Sequence, residues 1–92
     1  MGRSYFVYIL RNASGNFYIG VTNDLTRRIW EHKNKSIPGF TAKYNINILV
    51  YYEIYNNPIV AITREKQLKN WNRKKKIELI TKANPKFEEI SL

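Results

Sequence analysis

The sequence predicts a small α+β domain in which a three-stranded, mainly antiparallel sheet is flanked by helices in the order ββαβαα. Two observations support this prediction. Short segments rich in β-branched and aromatic residues alternate with segments whose apolar residues recur every three or four positions. The chain has 92 residues, 43% of them hydrophobic, which suits one domain with one core. We expect the domain to span residues 1–85 and residues 86–92 to form a C-terminal tail.

Three segments have the composition of strands. Tyr5–Leu10 and Phe17–Val21 are rich in β-branched and aromatic residues, and the turn-forming residues 12–16 separate them. This short separation predicts an antiparallel hairpin. Ile48–Tyr55 is the third predicted strand and completes the sheet.

Three other segments have the pattern of helices. The first is predicted over residues 24–34, because capping side chains precede its apolar positions. The second starts at Pro58, directly after a capping asparagine, and ends near residue 71. A basic third helix is predicted over residues 73–81. Residues 36–45 contain a Pro-Gly pair and are predicted to form a loop.

Positive charge dominates the chain. Sixteen Lys and Arg residues outnumber seven Asp and Glu residues, which gives a net charge of +9 at pH 7. Such a surplus favours a polyanionic partner, so we expect nucleic-acid binding that weakens as salt is raised. The alternative is a surface tuned for solubility or for association with the ribosome.

The chain contains no cysteine, which excludes a disulfide framework and a thiolate zinc site. A reducing compartment such as the cytoplasm is therefore the expected location. No apolar run approaches the roughly 20 residues that span a bilayer, so we expect no membrane partner.

Polar residues of catalytic types lie on the apolar stripe of the first helix. Leu25 and Ile29 are four residues apart and define the side that faces the core. Arg28 lies three residues after Leu25, and His32 lies three residues after Ile29. Both therefore border the buried stripe, whereas Arg27 and Glu31 are expected to point the other way.

The second helix carries a carboxylate on its apolar stripe. Ala61 and Leu68 mark the inward side, and Glu65 lies four residues after the first and three before the second. A buried carboxylate is costly unless it is paired or binds a metal. Two hypotheses stay open: a polar site shared with Arg28 and His32, or a buried Arg–Glu salt bridge.

The hairpin adds two tyrosines and a glycine. A turn centred between residues 13 and 14 would place Tyr8 almost opposite Tyr18. Adjacent tyrosines are typical of sheet packing as well as of a reactive site. Gly20 weakens the second strand, so we expect it to mark a place where another group approaches closely.

Two short motifs in the hairpin resemble the signature of the GIY-YIG nuclease superfamily. Tyr18-Ile19-Gly20 matches its second half, and Phe6-Val7-Tyr8 resembles its first half with Phe and Val in place of Gly and Ile. Residues 22–32 and 64–69 resemble two helices of the family. The chain is most similar to the small stand-alone group that has no attached DNA-targeting domain.

The resemblance implies a divalent-metal-dependent endonuclease that hydrolyses DNA phosphodiester bonds in DNA repair or recombination. The metal-binding glutamate of the family falls on Glu65, which would hold one Mg²⁺ or Mn²⁺ ion. The family's arginine falls on Arg28, which would brace the scissile phosphate. Tyr8 would act as the general base or orient the attacking water. Tyr18 and His32 would assist through hydrogen bonds or proton transfer.

Basic side chains on the first helix and on the last two helices are expected to contact the nucleic acid: Arg27, Lys69, Arg73, Lys74, Lys75 and Lys76. The alternative is a solvated helix face. Phosphate contacts carry no sequence information, so we expect weak sequence specificity, with a flap, nick or branch as the recognised feature.

Two rival functions stay open. The first is a non-catalytic nucleic-acid-binding module on the same scaffold, for which RNA is also a possible ligand. The second is a nuclease subunit that is inactive until a protein partner docks on Trp30 or Trp71.

Overall fold

The computed structural model describes residues 3–92, in which the elements follow one another as ββααβαα. The strands are β1 (Tyr5–Arg11), β2 (Phe17–Thr22) and β3 (Ile48–Tyr55). The helices are α1 (Leu25–Lys33), α2 (Phe40–Lys43), α3 (Pro58–Asn70) and α4 (Arg73–Ala83). The predicted α+β class and the ββαβαα order of the longer elements are confirmed.

The sheet has β1 at its centre, with β2 and β3 antiparallel on either side. Alternate residues of a strand point to opposite faces, so β1 contributes to two cores. Val7 and Ile9 pack with residues of α3 and α4 on one face. Tyr8 and Leu10 pack with Leu25 and other residues of α1 on the other face. The polar groups described below therefore have a rigid, buried strand as their base.

The register of the hairpin differs from the prediction. Tyr8 lies opposite Gly20, and Tyr18 lies opposite Leu10. The turn is centred on residue 14, because a five-residue turn closes through a 2.9 Å hydrogen bond from the Asn16 N–H to Asn12 Oδ1. The expected turn centre between residues 13 and 14, which would place Tyr8 almost opposite Tyr18, is therefore wrong by half a residue. The two are diagonal neighbours, with ring centroids 6.3 Å apart.

The loop predicted over residues 36–45 contains the short helix α2, and that part of the prediction is wrong. Gly39 precedes α2 with φ of 112°, a conformation that glycine adopts without strain. A helix of four residues is too short to show an apolar period, so its sequence does not reveal it.

The other helices begin and end close to the predicted residues. Side-chain oxygens of Asp24, Asn57 and Asn72 accept hydrogen bonds from N–H groups in the first turns of α1, α3 and α4. Helix α4 continues to Ala83, two residues beyond the predicted end.

Residues 86–92, the expected tail, pack along the surface of the domain. The ring of Phe87 stacks on Phe17 with centroids 6.3 Å apart. Arg11 Nε donates a 3.0 Å hydrogen bond to the Phe87 carbonyl, and the Ile90 N–H donates a 2.8 Å bond to the Leu49 carbonyl. Within residues 3–92, no helix has the length and apolar character needed to cross a membrane.

Candidate active site

Three buried side chains connect β1, α1 and α2 by hydrogen bonds. Tyr8 Oη lies 3.0 Å from His32 Nε2, and His32 Nδ1 lies 3.1 Å from Thr41 Oγ1. In the tautomer with the proton on Nδ1, the Tyr8 hydroxyl donates to Nε2 and the Nδ1–H donates to Thr41. Thr41 thereby fixes the orientation of the imidazole. Sequence reasoning missed Thr41, because its segment was interpreted as a loop.

Gly20 leaves the space that the Tyr8 ring occupies. A Cβ atom at Gly20 would lie 2.5 Å from Tyr8 Cζ, a distance that real Cβ atoms do not adopt. The strand opposite Tyr8 therefore needs a residue without a side chain at this position.

The ring of Tyr18 packs beside the rings of Tyr8 and His32, so that the three rings form one cluster. The Tyr18 ring centroid lies 5.5 Å from that of His32 and 6.3 Å from that of Tyr8. The Tyr8 and His32 centroids are 5.8 Å apart. Tyr8, Tyr18 and His32, which the sequence assigned to one site, thus lie in mutual contact.

The environment of Tyr8 disfavours a free phenolate. Burial raises the pKa of Tyr8 far above its ordinary value of 10, and the neighbouring Tyr18 raises it further. Arg28 opposes this rise, whereas Glu31 and Glu65 add to it.

The environment of His32 favours its neutral form. Burial lowers the pKa of His32 below its ordinary value of 6.5, and Arg28 lowers it further, against the opposing effect of Glu31. At neutral pH the imidazole is therefore uncharged and has one nitrogen that accepts a proton.

Arg28 has a buried donor without a hydrogen bond. Its Nε lies 3.2 Å from Glu31 Oε1, and the side chain is 34% exposed. This ion pair lacks hydrogen-bond geometry, so the Nε–H has no hydrogen-bond partner among the described residues. An unsatisfied guanidinium donor is costly, and an anion with oxygen acceptors would satisfy it.

Glu65 lies on α3 with its side chain only 13% exposed. Its Oε2 lies 2.8 Å from Lys69 Nζ, one helical turn later, and the Lys69 side chain is 48% exposed. The buried Arg–Glu pair that was the alternative for Glu65 does not form. The carboxylate has instead a half-exposed lysine as its ion-pair partner.

The donor chemistry of Glu65 suits one hard divalent cation. Among residues 3–92, no three His, Asp or Glu side chains come close enough together to hold a metal ion. Mg²⁺ usually keeps several waters and binds through one or two carboxylates together with substrate phosphate oxygens. A single, largely buried carboxylate whose only ion-pair partner in the described chain is a half-exposed lysine fits that pattern.

A largely buried Arg–Glu pair, whose side chains are 21% and 15% exposed, exists elsewhere, between β3 and α3. Arg64 Nε and Nη2 donate to the two oxygens of Glu53 at 2.9 and 3.0 Å, and the hydroxyls of Tyr51 and Tyr55 also donate to Glu53. Burial by itself would raise the pKa of Glu53, but these hydrogen bonds lower it overall. The sequence contained a signal for this pair, since Arg64 lies three residues after Ala61 and four before Leu68.

The six basic residues expected to contact nucleic acid differ in their contacts. Lys69 is engaged with Glu65, and the Arg73 guanidinium lies over the Phe17 ring, 4.8 Å from its centroid. Lys75 Nζ lies 5.7 Å from the centroid of the Trp71 ring. Arg27 and Lys74 are exposed, and Lys76 is half-buried.

The two tryptophans predicted as docking residues also differ. Trp30 is 60% exposed. Trp71 is half-buried between cations, with the Arg64 guanidinium 5.1 Å from its ring centroid. Trp30 is therefore the more accessible of the two.

A sequence model of the GIY-YIG catalytic domain matches residues 4–78. The chain is 34% identical over 77 residues to UPF0213 proteins of Staphylococcus aureus strains Mu3 and COL, over 84% of this chain and 94% of each relative. Its fold is similar to the solution NMR structure of a UPF0213 protein from Bacillus halodurans, with a TM-score of 0.60 and 28% identity. That likeness covers 92% of this chain and 90% of the solved one.

Proposed function

The chain belongs to the GIY-YIG family, and we propose that it is a divalent-metal-dependent endonuclease that hydrolyses DNA phosphodiester bonds. The observation that carries this proposal is the buried hydrogen bond between Tyr8 and His32, in a cluster on which the charges of Arg28 and Glu65 act. Phosphodiester hydrolysis needs a base for the attacking water, a cation for the phosphate and a metal ligand. In this proposal Tyr8 with His32 fills the first of these roles, Arg28 the second and Glu65 the third.

Tyr8 and His32 together provide the base. A preformed phenolate is unfavourable because burial raises the pKa of Tyr8. His32 Nε2, 3.0 Å away, is neutral and accepts the Tyr8 proton as the phenol oxygen takes a proton from water. The attacking water loses one proton and the imidazole gains one, so Tyr8 ends the step as a neutral phenol. The charged imidazole keeps its Nδ1–H bond to Thr41.

Arg28 binds the scissile phosphate in this proposal. Its guanidinium is planar, permanently charged and suited to two phosphate oxygens at once. Its Nε–H makes no hydrogen bond in the described chain, although Glu31 lies 3.2 Å away, so a phosphate oxygen would compete with Glu31 for the guanidinium. Arg28 also lowers the pKa of Tyr8, so it opposes the effect of burial on the proton that must move.

Glu65 would hold the metal ion. When bound, a divalent cation neutralises phosphate charge and stabilises the negative charge that develops during hydrolysis. Lys69 must then release the carboxylate, and because the lysine is half-exposed, water can solvate the ammonium group once it is released. A released Lys69 becomes available for a phosphate of the bound strand.

The basic surface would supply affinity rather than sequence specificity. The exposed cations on α1 and α4, including Arg27 and Lys74, suit contacts to phosphates. We therefore propose that a feature of DNA shape, such as a flap, nick or branch, selects the substrate. A role in DNA repair or recombination is part of the same proposal.

A cleavage panel tests the proposal. Single-stranded, duplex, flapped and branched DNA, labelled at one end, would be incubated with the protein in Mg²⁺, in Mn²⁺ and in chelator. We expect cleavage of at least one DNA in either metal and none in chelator. Equal cleavage in chelator would contradict the metal dependence, and no cleavage of any DNA in either metal would contradict the nuclease.

A non-catalytic binding module is the second candidate, and one contact favours it. The ion pair between Lys69 and Glu65 neutralises the carboxylate without a metal, so a phosphate beside it is not repelled. Such a module would bind all four DNAs of the panel equally well in Mg²⁺ and in chelator, and it would leave them intact.

A further inference from the structure

Helix α2 has the reverse of the usual burial pattern, because its polar residue is buried and its aromatic residues are exposed. Its threonine, Thr41, is buried, whereas Phe40 is 54% exposed and Tyr44, the residue that ends the helix, is 43% exposed. Exposed apolar rings are unfavourable in water, and buried hydroxyls need a partner. The partner of Thr41 is His32. The exposed rings have no such explanation within the described chain.

Phe40 and Tyr44 form a fixed aromatic surface, called here the α2 aromatic pair. Their ring centroids are 5.0 Å apart. Asn12 Nδ2 donates a 2.8 Å hydrogen bond to the Tyr44 carbonyl, and the Ile46 N–H donates a 2.9 Å bond to the Thr41 carbonyl. The first bond ties the C-terminal end of α2 to the hairpin, the second closes the turn that follows the helix, and the bond from Thr41 to His32 ties α2 to α1. The pair is therefore presented to solvent by an anchored backbone.

The α2 aromatic pair is coupled to the candidate active site. Thr41 follows Phe40 in the chain and bonds His32 Nδ1 at 3.1 Å, and His32 bonds the Tyr8 hydroxyl. The rings thus belong to the same short helix that orients the imidazole. A strand bound with its phosphate near Tyr8 would place neighbouring nucleotides beside this helix.

The surroundings of the pair are positively charged. Residues 32–45 contain three lysines and no Asp or Glu, and one of the three, Lys33, forms an ion pair with Glu89 of the C-terminal segment. Lys43 Nζ lies 5.4 Å from the centroid of the Tyr44 ring. Exposed aromatic rings among cations are what single-stranded nucleic acid binds, since its bases stack on rings while its phosphates contact cations. An apolar protein segment would not use those charges.

We propose that the α2 aromatic pair stacks on an unpaired base of the strand that is cut. This inference rests on the proposed function and names its substrate class: DNA with unpaired nucleotides next to the scissile phosphate. A base inside a duplex is already stacked on its neighbours, so it would have to leave the helix to reach the rings. An unpaired base of a flap or single-stranded end is free to stack.

The test compares DNA tails with and without bases. Three probes share one duplex: a blunt form, a form with a single-stranded thymidine tail, and a form whose tail is built of abasic nucleotides. The abasic tail keeps the phosphates and removes only the stacking surfaces. Binding would be measured by fluorescence anisotropy in chelator, with tails at the 5′ and 3′ ends assayed separately.

The wild-type protein should bind the thymidine tail on the order of 10-fold more tightly than the abasic tail at one of the two ends. In the variant with both Phe40→Leu and Tyr44→Leu this preference should disappear, while affinity for the blunt duplex stays unchanged. Leucine keeps the side chains apolar, and a thermal midpoint confirms that the variant is folded. Trp30→Leu, which removes an exposed ring of α1, is the matched control and should keep the preference.

Equal affinity of the wild type for the thymidine and abasic tails at both ends would overturn the proposal, and this comparison needs no variant. The proposal would also be overturned if the folded double variant kept the preference for the thymidine tail over the abasic tail. Loss of this preference to the same extent in Trp30→Leu would overturn it as well. Binding in chelator does not depend on cleavage. Failure of the nuclease proposal would instead appear as intact DNA in Mg²⁺, whatever the tail preference.

Discussion

Tyr8 Oη and His32 Nε2 lie 3.0 Å apart, although the two residues are 24 positions apart in the chain. Burial raises the pKa of the phenol and lowers the pKa of the imidazole. At neutral pH the shared proton therefore belongs to Tyr8, and the imidazole is its acceptor. In the proposed mechanism, Tyr8 can therefore take a proton from water only as its own proton moves to His32.

Tyr8→Phe tests the catalytic part of this pair. The change removes the hydroxyl and keeps the ring, so cleavage should fall by about 10²- to 10⁴-fold, the usual contribution of a general base. His32 Nε2 loses its partner, which should cost about 1–3 kcal/mol of stability. Single-turnover cleavage and urea unfolding would measure the two effects.

Tyr52→Phe is the matched control, because Tyr52 lies opposite Tyr8 on β3 without a side-chain hydrogen bond in the described chain. It should cleave DNA at nearly the wild-type rate. Comparable cleavage by Tyr8→Phe and Tyr52→Phe would refute the role of the Tyr8 hydroxyl.

The pH dependence follows from the lowered pKa of His32. Protonated His32 cannot accept the Tyr8 proton, so the cleavage rate should fall as the pH drops through the folded-state pKa, which lies below the ordinary 6.5. The same shift affects stability. The unfolded chain binds this proton more readily, so the stabilisation from neutral His32 is present above pH 6.5 and is lost as the pH falls through the lower folded value.

His32→Gln provides the comparison for both effects. Unfolding free energies of wild type and variant would be measured at pH about 7.5 and about 5, because the difference between the proteins isolates the histidine from the carboxylates. The wild type should lose more stability on acidification than the variant. An equal loss in the two proteins would show that His32 has no lowered pKa.

The fold was predictable because its long elements have clear periods. Three strands and three longer helices follow from alternation, apolar stripes and caps such as Asn57 with Pro58. The register of the hairpin was not predictable from the sequence, since it depends on whether Asn12 closes a four-residue or a five-residue turn. Helix α2 was not predictable either, because it is shorter than two turns and carries its apolar residues outside.

Gly20→Ala tests the close approach of the two strands. The added Cβ would lie 2.5 Å from Tyr8 Cζ, so the Tyr8 ring must shift. We expect a loss of about 1–3 kcal/mol, as for other overpacked sites, and reduced cleavage. The double variant with Tyr8→Leu should show strong non-additivity in urea unfolding, because the two changes concern one space. Additive losses would mean that the overlap is relieved elsewhere.

Glu53→Ala tests the buried ion pair between β3 and α3. It removes the acceptor for Arg64, Tyr51 and Tyr55 at once, so the unfolding free energy should fall by about 3 kcal/mol, the lower end for a broken buried pair. Glu88→Ala, at an exposed carboxylate, should change it by less than about 0.5 kcal/mol. Similar thermal midpoints for the two variants would show that the pair contributes little.

The candidate site was predictable only in part. Helical spacing selected Arg28, His32 and Glu65, and the resemblance to a nuclease family gave them roles. Spacing alone did not show which carboxylate forms the buried Arg–Glu pair, because Arg64 and Glu65 both lie near the inward stripe of α3. The structure separates them: Arg64 pairs with Glu53, and Glu65 pairs with a half-exposed lysine.

Glu65 is the residue on which the proposed metal dependence rests. Glu65→Gln keeps the shape of the side chain and removes its charge. Because Lys69 is 48% exposed and Glu65 only 13% exposed, loss of this ion pair should lower the unfolding free energy by about 1 kcal/mol, the upper end for a solvated pair. Binding of DNA in chelator should be unchanged or slightly stronger, since a negative group near the phosphate is gone. Glu78→Gln, at an exposed carboxylate of α4, is the matched control.

The most direct measurement is Mg²⁺-dependent cleavage by folded Glu65→Gln protein of a DNA that the wild type cuts. We expect a folded variant that binds this DNA and does not cleave it at Mg²⁺ concentrations that saturate the wild type, whereas Glu78→Gln cleaves normally. Cleavage at the wild-type rate by folded Glu65→Gln would contradict the assignment of Glu65 as the metal ligand and with it the proposed mechanism.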